Sequence, residues 1–230
     1  MQLDLLAILG RGIRQISKNG SWVPTDDLEM HDEGFKPRAL RLSVDDESSN
    51  CFVGGAMLNV KAGAVLCATH SPKAVVCGYG GQSSYLTAVP DSQSDSEVLS
   101  AQLEGLIGPL REGNPEIIVW QRGRVAKSGG TNTDAELQNI FEFAVERSFT
   151  SVGIVTVFVH LMRTVTMVRT HLANPAWNHL RLQFFASEDV LYQDDTKWGP
   201  RLQAMNGSQS FLRTMFYECR GLNALLAGKY

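Results

Sequence analysis

Val152-Gly153-Ile154-Val155-Thr156-Val157-Phe158-Val159-His160-Leu161-Met162-Arg163 is the stretch that decides the fold. Its opening apolar run predicts a buried strand over 152–159. The spacing after it predicts an amphipathic helix over 161–172. A hydroxyl (Thr156), an imidazole (His160) and a guanidinium (Arg163) thus gather where a strand hands over to a helix. In open α/β sheets ligands bind at that carboxyl edge.

Working outward, the same strand-then-helix alternation recurs. Leu5–Leu9, Ala74–Cys77, Ile117–Trp120 and Leu182–Phe185 read as short strands, near-continuously apolar. Helical spacing marks 54–70, 94–105, a segment opened by Asn132 or Thr133, and 211–226. Near-continuous apolar strands separated by helices imply a parallel sheet covered on both faces. The expected architecture is a single α/β domain over 1–230. It is a three-layer, Rossmann-like fold with a mostly parallel sheet of about five strands and a C-terminal helical tail over 206–230. Residues 18–50 are polar and rich in acids, and read as a long loop or insertion.

At 230 residues the chain fits one large domain. Its net charge of −3 and pI near 6.0 give no footing for a nucleic-acid partner. No basic leader and no run of ~20 apolar residues occurs, so no membrane span is expected and the cytoplasm is the default compartment. Cys51, Cys67, Cys77 and Cys219 form no C-x-x-C pair and match no zinc spacing, so no metal is expected. Cys67 and Cys77 read as small core hydrophobes.

Two glycine turns follow the first two strands. Gly10-Arg11-Gly12 can bring backbone N–H groups up to an anion, but the third glycine of the dinucleotide fingerprint is replaced at Gln15 and no P-loop lysine follows. Gly78-Tyr79-Gly80-Gly81 is the second turn, and Tyr79 is open to ring stacking or to a plain surface position. Two such loops at adjacent strand ends would line one crevice. Glu97, three residues after Ser94, fits a capping box or a carboxylate directed at that crevice, with the cap favoured. Thr133 divides between N-cap and ligand hydrogen bond. His160 is the strongest proton-transfer candidate, and Arg163, three residues on, shares its helix face. No H-E-x-x-H, H-x-x-E-H or G-x-S-x-G pattern supports a zinc peptidase or a serine hydrolase.

In this order the motifs resemble the bacterial ElyC/SanA/YdcF family, a Rossmann-like group without an assigned reaction. The matching positions are Gly10 and Gly12, Gly78 and Gly80, Ser96 and Glu97, Thr133, Thr156, His160 and Arg163. In the tail they are Glu218, Gly221, Leu225 and Gly228. Where the family has T-x-E-N at the third helix, this chain reads Thr133-Asp134-Ala135-Glu136. Lacking a span, it looks most like the soluble YdcF type, for which the resemblance implies S-adenosylmethionine as a possible ligand.

The expectation is an enzyme, a transferase or hydrolase, acting on an anionic or nucleotide-like small molecule. Gly10–Gly12 and Gly78–Gly81 would cradle the ligand, and Arg11 and Arg163 would offset its charge. Thr133 and Thr156 would orient it, and His160 with Glu97 would handle protons. The alternative is a non-catalytic small-molecule-binding or regulatory protein.

Overall fold

The computed structural model describes residues 2–15, 21–25, 29–31, 34–36, 54–80, 93–108, 115–120 and 132–229. Gly81, Cys51 and most of the acidic 18–50 segment lie outside them.

In chain order the strands and helices begin with β1 (Leu5–Ile8), β2 (Ile13–Gln15), β3 (Trp22–Pro24), β4 (Glu29–His31), β5 (Gly34–Lys36) and α1 (Ala56–His70). There follow β6 (Ala74–Cys77), α2 (Asp95–Ile107), β7 (Glu116–Ile118), α3 (Thr133–Glu146), β8 (Ser151–Thr156) and α4 (Phe158–His171). The chain ends with β9 (Arg181–Ala186), α5 (Ser187–Asp194), α6 (Trp198–Asn206) and α7 (Gln209–Leu226).

Five strands make one all-parallel sheet in the order β7-β6-β1-β8-β9. The chain starts in the centre, builds outward through β6 and β7, then crosses to the other side of β1 for β8 and β9. Strand order therefore reverses between β1 and β8, which is where such sheets open a crevice at their carboxyl edge.

Side-chain alternation along β1 explains the layers. Leu6 and Ile8 join α1 and α2 in one core, whereas Leu5, Ala7 and Leu9 join α3 and α4 in the other. Both faces of the strand are dry, and all four of its residues are buried. Gly63 of α1 lies against Ile8 so closely that a Cβ there would collide with its side chain.

The predicted elements are present with shifted ends. β8 stops at Thr156 and α4 begins at Phe158, earlier than the run of β-branched residues indicates. The cause is remote: Glu188 of α5 accepts the Phe158 N–H at 2.8 Å and caps a helix whose own N-cap, Val157, has no polar atom to offer. Helices α5 and α6 were not expected. From the 18–50 segment, β3 pairs back with β2 and β4 pairs with β5, both antiparallel. Among the described residues no helix is long and apolar enough to cross a membrane.

Candidate functional site

The carboxyl ends of β1, β6 and β8, with the starts of α2, α3 and α4, bring most of the expected residues together. The chemistry they make differs from the expectation in three ways.

The first concerns the glycine turns. Gly10 N–H and Tyr79 N–H both donate to one oxygen, Glu136 Oε1, at 2.9 and 3.1 Å. Gly78 N–H donates to the Ile8 carbonyl at 2.8 Å, Gly80 N–H to Gly78 at 2.7 Å, and Gly12 N–H to Asp95. The protein's own carboxyl groups thus fill the cradle expected to receive an anion. Glycine is still required: Gly78 has φ +49° and a Cβ there would come 3.1 Å from Asp95 Cβ. Burial pushes the Glu136 carboxyl up to about 8 and that of Asp95 up to about 6, against the pull of the N–H donors. Glu136 is therefore largely a neutral acid at pH 7.

The second concerns Tyr79, which is neither a surface aromatic nor a stacking platform. It is 2% exposed and packs edge-on against Trp120 and Phe143, with centroids 4.9 and 5.4 Å away. Thr156 is likewise sealed, and its Oγ1 has no hydrogen-bond partner among the described residues.

The third concerns the carboxylate that serves His160. Glu97 forms the favoured capping box of α2, accepting from Ser94 N–H at 2.7 Å. The carboxylate at His160 is Glu218, from the middle of α7. Its Oε2 is 2.9 Å from His160 Nδ1 and 3.1 Å from Arg163 Nε, and its Oε1 accepts from Arg11 Nη1 at 2.7 Å. The far side of the ring meets Thr133, Oγ1 to Nε2 at 3.1 Å.

A hydroxyl, an imidazole and a carboxylate therefore stand in line. Arg163 Nη2 also lies 3.2 Å from Nδ1. The shorter contact to an ionised carboxylate requires the ring proton on Nδ1, which leaves Nε2 as the acceptor facing Thr133.

Electrostatics fit that tautomer. His160 is 1% exposed, and burial, helped by the Arg11 charge, holds it down at about 4, so the ring is neutral at pH 7. Burial alone would raise Glu218, but its bond to His160 and the two guanidiniums outweigh this and hold it near 2.

Local structure explains the placement. Asn132 caps α3 through Ala135 N–H at 2.9 Å, so Thr133 opens the helix with its hydroxyl free for His160. Arg11 is braced by the Gly54 carbonyl, and Arg163 crosses α7 at Gly221, where a Cβ would strike its guanidinium. Buried Asn59 ties the crevice floor together: its Nδ2 donates to the Leu9 carbonyl and its Oδ1 accepts from Ser187, at 2.9 and 2.7 Å.

Sequence reading assigned Glu218, Glu136, Asp95 and Asn59 no role in the site. Beyond its place in the tail motif, Glu218 carried one further signal, a lone acid in a helix whose other charges are basic. Among the described residues no group of three His, Cys, Asp or Glu is placed to hold a metal. Compared with known proteins, the chain matches no family model, no curated protein and no solved structure.

Proposed function

We propose that this crevice belongs to an intracellular enzyme acting on an anionic or nucleotide-like small molecule by group transfer or hydrolysis. His160 is its proton-transfer group and Glu218 the residue that positions the ring. The observation carrying this reading is the Thr133–His160–Glu218 line at the strand-order reversal, its imidazole and carboxylate buried, with two guanidiniums beside it. A neutral imidazole, fixed in one tautomer by a carboxylate, is ready to accept a proton at pH 7. The resemblance to the ElyC/SanA/YdcF family belongs to the same reading, as does S-adenosylmethionine as a candidate ligand.

A non-catalytic binding role has one observation in its favour: Glu218 already engages both arginines, so part of their charge serves the fold. The two readings separate on His160→Gln. Full-length protein is screened by native mass spectrometry and thermal shift against nucleotides and S-adenosylmethionine, and turnover of any hit is followed. An enzyme loses turnover far more than affinity in the variant, whereas a binding protein loses affinity alone. No adduct and no shift with any of these ligands would count against a nucleotide-like substrate. In an enzyme the rate rises with pH through about 4 and is flat across neutrality, because the base is lost only when His160 is protonated.

A further inference from the structure

We infer that Thr133 is the nucleophile of an acyl-transfer reaction on anionic esters or thioesters. This rests on reading His160 as a proton-transfer group and adds the bond that forms. Thr133 Oγ1 lies 3.1 Å from the imidazole nitrogen that lacks a proton, and the other ring nitrogen is held by a carboxylate 2.9 Å away. That is the geometry by which a hydroxyl of ordinary acidity is activated. Thr133 is half-buried, the most accessible of the three, and so the one a substrate reaches first.

The steps balance. The Thr133 hydroxyl gives its proton to His160 Nε2 as Oγ1 bonds to the substrate carbonyl carbon, whose oxygen takes the displaced electron pair. The tetrahedral adduct collapses, the bond to the alcohol or thiol breaks, and Nε2 returns the proton to that leaving group. Water then gives a proton to Nε2 and attacks the acyl carbon. The Thr133 ester bond breaks and Oγ1 is reprotonated, releasing the acid.

One imidazole serves in both directions only if the leaving group departs from the nucleophile's own side. This holds for a tetrahedral acyl intermediate. In-line phosphoryl displacement expels the leaving group on the opposite side, so the geometry favours acyl over phosphoryl chemistry. Arg11 and Arg163, both beside the ring, select an anionic group elsewhere on the substrate. No G-x-S-x-G motif marks this set, because its hydroxyl belongs to a threonine that opens α3 behind an Asn132 cap rather than to a serine on a glycine-flanked elbow.

The test uses full-length protein with the mono-p-nitrophenyl ester of adipic acid, neutral p-nitrophenyl butyrate, and a fluorophosphonate label. Wild type is expected to prefer the anionic ester by about tenfold, the factor one charge-assisted hydrogen bond supplies, and Arg163→Met to lose that preference. Acid quenching should trap an adipoyl ester, and the fluorophosphonate should mark Thr133 in peptide maps. Thr133→Ser should retain turnover and labelling, whereas Thr133→Ala and His160→Gln should lose about 10³-fold or more. Asn132 caps α3, so Thr133→Ala keeps its fold, and circular dichroism checks this.

Turnover that needs His160 but persists in Thr133→Ala overturns the nucleophile and leaves the proton-transfer reading standing. Turnover indifferent to both residues overturns both readings. A label on any residue other than Thr133, or neither ester turnover nor a Thr133 adduct in wild type, overturns the inference.

Discussion

At the scale of single residues, burial reverses the usual ionic states in this crevice. Glu136 is held neutral up to about pH 8, while His160 is held neutral down to about 4. The two have opposite effects on stability. The folded chain keeps the Glu136 proton above 4.5, where the unfolded chain releases it, so this contribution is full below 4.5 and lost as pH rises to about 8. For His160 the unfolded chain binds the extra proton between about 4 and 6.5, so stability grows with pH there and is full above 6.5. Asp95 and Glu188, raised to about 6, add to the decline on the acid side only. Above pH 6.5 Glu136 therefore acts almost alone. Urea titrations of wild type should lose stability from pH 6.5 to 8, with a slope of at most about 1.4 kcal/mol per pH unit. Glu136→Gln should flatten that limb, and an unchanged limb would mean Glu136 is already ionised. His160→Gln should instead leave the limb in place and steepen the decline between about 4.5 and 6, where the imidazole otherwise opposes the three carboxyls.

At the scale of elements, the contacts that fix the site are long-range, and this sets what a sequence can reveal. The strands β6 and β8 were legible because each must be apolar along its whole length to be covered on both faces. Thr133 was legible as a candidate because Asn132 marks the start of α3 locally, and His160 and Arg163 because they follow a legible strand and share one helix face. Glu218 was not, since nothing in α7 encodes its docking against α4, and its partners lie 58 and 207 residues away. Glu136 was visible only as a departure from the T-x-E-N pattern, and its bonds to Gly10 and Tyr79 are equally remote in sequence. The α7 carboxylate offsets two guanidiniums, so Glu218→Ala should destabilise by about 3 kcal/mol in urea, as expected when one partner of a buried ion set is removed. Gly221→Ala, which crowds Arg163, should lower stability and mimic Arg163→Met in ester preference. Asn59→Ala leaves the Leu9 carbonyl and the Ser187 hydroxyl unpaired, and should cost roughly 1–3 kcal/mol.

At the scale of the whole molecule, the sheet and the site have different origins in the chain. The central strand β1 comes first, and the sheet is complete at β9, residue 186. A chain ending at residue 208 should therefore keep its parallel sheet by far-ultraviolet circular dichroism, yet fail to take the fluorophosphonate label, because His160 has lost Glu218. Retention of labelling would show that the carboxylate is dispensable. The dependence on α7 also makes that helix a latch on the site. The imidazole comes from α4, whereas the carboxylate that fixes its tautomer comes from a helix packed against α4. Loosening α7 alone would release the ring while the sheet stays intact, so hydrogen exchange in α7 would report the readiness of the crevice without any unfolding of the sheet.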